Sequence, residues 1–94
     1  MGTEIVEKIT QYESMLARGI EAATPAARDG SPAAEAAEQC LEMAEAYLAD
    51  GRHFLEGADH PNALAAFAYG HGWLDAGVRI GILDVPTDDH LFTI

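Results

Sequence analysis

The sequence has little cysteine, little lysine and no long apolar run. A single cysteine in 94 residues cannot form an intrachain disulfide, which excludes the disulfide-rich class of small secreted domains. The stretches that are poor in charge are too mixed and too short to cross a membrane. The first thirty residues do not follow the basic, apolar, small-residue order of a secretory leader. We therefore expect a cytoplasmic protein without a membrane span.

Positive charge is also scarce in this chain. Five basic residues, of which Lys8 is the only lysine, face sixteen acidic ones, so the formal net charge is −11. Such a chain repels a bare phosphate backbone, which argues against nucleic acid as a partner. The composition resembles that of proteins adapted to salty cytoplasm, where counter-ions relieve the repulsion between carboxylates. Salt adaptation is therefore a hypothesis that this composition favours.

Helical periodicity is what the sequence does contain. Apolar residues recur every three or four positions over 4–22, 32–56 and 61–82, which predicts three helices. Short connections between long helices favour antiparallel neighbours. We therefore predict one all-α domain over residues 1–94, an up-down-up three-helix bundle with a docked or frayed tail at 83–94. No strand pattern competes with this prediction.

Residues that favour helix ends lie at the predicted boundaries. Ser31 followed by Pro32 predicts the start of the second helix, since proline is tolerated at the first helical position. Asp59 and Pro61 predict the start of the third helix in the same way. Gly57 is predicted to take the left-handed conformation that ends the second helix.

The third helix is apolar over more of its circumference than two neighbours in a bundle require. One ridge consists of Leu64, Phe67, Leu74 and Val78. A second ridge, nearly opposite, consists of Tyr69, Trp73 and Ile80. A strip of small residues between them consists of Ala63, Ala66, Gly70, Gly77 and Gly81. Because each helix-interior glycine costs about 1 kcal/mol relative to alanine, the strip predicts close approach of another backbone. The second ridge needs a cover, and the apolar tail residues Leu91, Phe92 and Ile94 or a second copy of the chain are the alternatives.

A line of polar residues also follows the third helix. His71, Asp75 and Arg79 are spaced four apart, so their side chains can touch in succession. In one interpretation His71 is a partly buried histidine held by Asp75, and Arg79 pairs with the other carboxylate oxygen. In the other, His71 and Asp75 transfer a proton or orient a ligand in a pocket between helices.

The remaining histidines and the cysteine do not form a recognisable site. On paper a metal site can be assembled from His53, His60, His90, Asp59, Asp88 and Asp89. No Cys-x-x-Cys or His-x-x-x-His spacing is present, so we predict no metal site, and we assign no cofactor and no catalytic residue. Cys40 flanks the apolar face of the second helix, where a lone thiol behaves as a small hydrophobic group.

Two runs of sequence carry a family resemblance. The runs are Tyr47-Leu-Ala-Asp-Gly-Arg-His-Phe-Leu-Glu-Gly57 and Asn62-Ala-Leu-Ala-Ala-Phe-Ala-Tyr-Gly-His-Gly-Trp-Leu-Asp-Ala-Gly77. Together they resemble the archaeal domain-of-unknown-function family 357, and the closing Leu91–Ile94 is similar to that family's usual ending. The resemblance implies a small archaeal helical protein with no established activity. Because the family has no agreed catalytic residues, the resemblance implies no site.

Two hypotheses of function follow from these patterns. The first is a non-enzymatic interaction module that binds a protein partner or forms a homo-oligomer through Tyr69, Trp73 and Ile80, since tryptophan and tyrosine are frequent interface hot spots. The alternative is a small ligand-binding protein or enzyme that uses His71 and Asp75 in an inter-helix pocket. Neither hypothesis includes nucleic acid or a membrane as a partner.

Overall fold

A computed structural model describes residues 3–86 of the chain. Three helices make up most of it: α1 is Thr3–Ala22, α2 is Pro32–Glu56 and α3 is His60–Ile80. They pack as a small all-α three-helix bundle, which confirms the predicted fold class. α2 has the predicted bounds, α1 begins one residue earlier than predicted, and α3 begins one residue earlier and ends two residues earlier. Among these helices none is long and apolar enough to cross a membrane.

The two predicted helix starts are confirmed by their capping hydrogen bonds. The Ser31 hydroxyl accepts from the backbone N–H of Ala34 at 3.1 Å, ahead of Pro32 at the first position of α2. The Asp59 carboxylate accepts from the backbone N–H of Asn62 at 3.3 Å and from its side-chain amide at 2.8 Å. Each cap pairs a backbone N–H that the helix leaves without an intrahelical acceptor.

The prediction that Gly57 takes the left-handed conformation after α2 is wrong by one residue. Gly57 has a φ of −88°, and the left-handed residue is Ala58, with a φ of 57°. The chain turns one residue later than predicted because the Asp59 N–H returns to the carbonyl of Phe54 at 2.8 Å. The same turn brings Asp59 to the position from which it caps α3.

The predicted end of α3 is also corrected. Gly81 has a φ of 91°, and its N–H bonds to the carbonyls of Gly77 and Val78, so the helix stops at Ile80 rather than at 82. The left-handed conformation of Gly81 reverses the chain. The residue spacing assigned Gly81 only to the strip of small residues and did not predict this turn.

Two short strands that the sequence did not predict follow from this reversal. β1, Thr24–Pro25, pairs antiparallel with β2, Leu83–Asp84, and the Ala26 N–H donates to the Ile82 carbonyl at 2.9 Å. A pair of two-residue strands has no period-2 signal to read. The first residues of the tail predicted at 83–94 thus pack on the bundle. Residues 87–94, including the apolar Leu91–Ile94, lie outside the described part of the chain.

Small residues set the spacing between the helices. Gly51 in α2 lies against the ring of Phe67, whereas Tyr47 lies against Gly70, so α2 and α3 run antiparallel. Gly70 also meets the side chain of Leu16 in α1. The strip predicted on α3 is therefore closely packed at Gly70 and Gly77, where side chains rather than a bare backbone fill the space. At Gly81 no atom lies within 4 Å of an added Cβ, so the strip is open at that end.

The core consists of residues from all three helices and β2. Its largest fully buried side chains are Phe67, Ile9, Leu16 and Leu74. Leu83 reaches the core from β2 and packs against Gly77. The ridge of α3 that contains Phe67 and Leu74 is thus the one that the bundle buries.

Candidate interaction surface

The second apolar ridge of α3 lies at the surface of the bundle. With successive residues about 100° apart, eight residues of the helix lie within about 60° of Tyr69, and six remain when the polar Asn62 and the buried Ala66 are set aside. They are Ala65, Tyr69, Gly72, Trp73, Ala76 and Ile80, and we call them the outer face of α3. Phe67 and Leu74 lie about 140–160° from Tyr69 on the same helix, so burying them turns the outer face toward solvent.

The three side chains named by the sequence are all exposed on this face. Tyr69 is 66% exposed, Trp73 is 38% exposed and Ile80 is 72% exposed. An exposed apolar residue is ordinary when it is isolated, but a contiguous group on one helix is typical of an interaction surface. The structure therefore places the three candidates together, on the side of α3 that α1 and α2 leave uncovered.

The small residues of the outer face make it concave. An open groove of about 610 Å³ follows α3, with alanine and glycine between the two aromatic rings. Its lining consists of Ala65, Ala68, Tyr69, Gly72, Trp73 and Ala76. The surface therefore combines projecting aromatic rings with a shallow, open groove at the small residues between them.

Tyr47 of α2 holds one of the projecting rings in place. The rings of Tyr47 and Tyr69 stack with centroids 5.6 Å apart and an interplanar angle of 21°. A ring that is already positioned loses less conformational freedom when a partner covers it. Sequence reasoning did not assign Tyr47 to this surface. The spacing within one helix does not show which residue of the next helix a side chain meets.

The outer face lies on the least charged helix of a strongly acidic chain. The acidic face of α2 consists of Glu35, Glu38, Glu42, Glu45 and Glu56, all of them exposed. In α3 the charged side chains are Asp75 and Arg79, and Arg79 Nε donates to the two oxygens of Asp75 at 3.1 and 3.0 Å. This pair leaves α3 with no net charge, so the outer face presents neither positive nor negative charge to a partner.

His71 occupies the interior side of α3. It is 4% exposed, which makes it a buried polar residue of the core side and places it outside the lining of the outer groove. Two of the three residues of the predicted polar line, Asp75 and Arg79, form an ion pair, and the Arg79 side chain is largely exposed to solvent. The burial of His71 agrees with one part of the structural interpretation of that line, whereas a contact between His71 and Asp75 stays a prediction. Arg79 bonds to both oxygens of Asp75 rather than to one.

Cys40 is buried, as expected of a thiol that acts as a small hydrophobic group. It is 8% exposed and belongs to the core cluster of α2. Burial raises the pKa of the Cys40 thiol above its ordinary value of 9.0, because the thiolate is the form that loses its hydration. At neutral pH the group is therefore the unreactive thiol.

The residues considered for a metal site do not converge within the described chain. Over residues 3–86, no group of three or more histidine, cysteine or carboxylate side chains is placed to hold a metal ion. His53 is exposed with its ring centroid 6.4 Å from that of Phe54, and His60 begins α3. His90, Asp88 and Asp89 lie outside the described residues.

Comparison with known families gives a match. The chain matches the family described as "Protein of unknown function (DUF357)" over residues 11–83, a stretch that contains α2 and α3 whole. The match confirms the family suggested by the two runs of sequence. Comparison with curated proteins and comparison with solved structures found no match.

Proposed function

We propose that this chain, which belongs to the DUF357 family of proteins of unknown function, acts as a non-enzymatic protein–protein interaction module. Its binding surface is the outer face of α3, and its partner is another protein or a second copy of itself. The observation that carries the proposal is an exposed, neutral, aromatic surface on a chain whose formal net charge is −11. Solubility alone would favour charged residues at these positions.

Burial of the exposed side chains of this surface supplies part of the free energy that a specific contact needs. Burying an aromatic side chain removes about 150–250 Å² from water, at about 25 cal/mol per Å². Scaled by the exposed fractions of 66%, 38% and 72%, burial of Tyr69, Trp73 and Ile80 contributes roughly 5–8 kcal/mol. Association costs about 4–15 kcal/mol. A stable complex therefore needs a partner that brings apolar surface of its own.

The chemistry of the surface also limits the class of partner. The outer face has no cationic cluster that could bind phosphates, which argues against nucleic acid and against an anionic lipid surface. A strongly basic protein would gain little from α3, because the carboxylate of that helix, Asp75, already accepts from Arg79. The best-matched partner is an uncharged, apolar protein surface.

The alternative of an enzyme or ligand-binding protein has weaker support. His71 is buried, the Asp75 carboxylate accepts from Arg79, and the outer groove is lined by other residues. A general acid or base needs a path to its substrate. The pocket that would join His71 and Asp75 stays a prediction without a supporting observation.

The stability of surface variants tests the proposal. A face reserved for a partner is dispensable to the isolated chain, so Tyr69→Ser combined with Ile80→Ser should change the free energy of unfolding by less than about 1 kcal/mol in dilute solution. Leu74→Ala, on the buried side of the same helix, is the matched control and should lose about 2–5 kcal/mol. The apolar dye ANS should bind the native chain and bind the double variant less.

The contrary result is also clear. If the double variant loses as much stability as Leu74→Ala, then another part of the chain covers the outer face. In that case the face contributes to folding, and the interaction module is refuted.

A further inference from the structure

We draw no further inference here: the strongest candidate, the open apolar groove along the outer face of α3, belongs to the surface already described, and nothing in the structure shows what covers it.

Discussion

Adding one methyl group at Gly51 should destabilise the bundle, even though alanine is the better helix former. A Cβ at Gly51 would lie 2.6 Å from Cδ1 and 2.8 Å from Cζ of Phe67, with Cε1 nearer still. Ordinary contact begins near 3.4 Å, so the ring would have to move by about 0.6–0.8 Å at these two atoms and by more at Cε1. Phe67 is fully buried, and a rigid ring displaces its neighbours when it moves.

The net effect follows from two opposing terms. Removing a helix-interior glycine contributes about 1 kcal/mol of stability, whereas overpacking a core costs about 1–3 kcal/mol. Because three atoms of an enclosed ring are affected, we expect the upper part of that range and a net loss of about 1–2 kcal/mol for Gly51→Ala. For a chain of this size, the Tm should fall by about 4–12 °C.

The matched control is Gly72→Ala on the outer face of α3. No atom lies within 4 Å of a Cβ at Gly72, so only the propensity term applies. This variant should gain about 1 kcal/mol, measured by thermal unfolding in dilute solution. If Gly51→Ala were stabilised as much as Gly72→Ala, the close packing of Phe67 on α2 would be refuted.

Three further predictions concern the buried polar groups and the charge. Because burial raises the pKa of Cys40, its contribution to stability is full below pH 9.0 and is lost as pH rises from there toward the folded pKa. Denaturant titrations at several pH values should show this loss in the difference between the free energies of unfolding of the native chain and of Cys40→Ala. A difference that does not change with pH would contradict it. His71→Gln should lose about 1–2 kcal/mol, since it replaces a buried residue that is 4% exposed, and unchanged stability would contradict a structural role. Finally, the Tm should climb as KCl rises from about 0.1 M to 2 M if the carboxylates repel one another, and a flat profile would contradict salt adaptation.

The sequence predicts the helices of this fold well because their signals are local. Apolar periodicity and the caps at Ser31 and Asp59 lie within a few residues of the boundaries that they set. The errors lie where the decisive contact is distant or later in the chain. Ala58 takes the left-handed position because Asp59 bonds back to Phe54, and β2 forms because Gly81 returns the chain to β1.

The candidate surface, too, could be predicted from the sequence only where its signal is local. The excess apolar circumference of α3 can be read from residue spacing, and that spacing alone identifies Tyr69, Trp73 and Ile80. Which side of the helix faces solvent depends on how α1 and α2 pack, and the stacking of Tyr47 on Tyr69 depends on the register between two helices. Neither property is encoded within a single helix.

Trp73 provides the most direct test of the central claim, that the outer face of α3 is exposed in the isolated chain and covered on association. It is the only tryptophan, so its emission reports on this face alone. In dilute solution the emission should be red-shifted and quenched by acrylamide, whereas a bound partner should shift it to the blue and protect it. Emission that is blue-shifted and protected at every concentration would show that the chain covers the face itself, and would contradict the account.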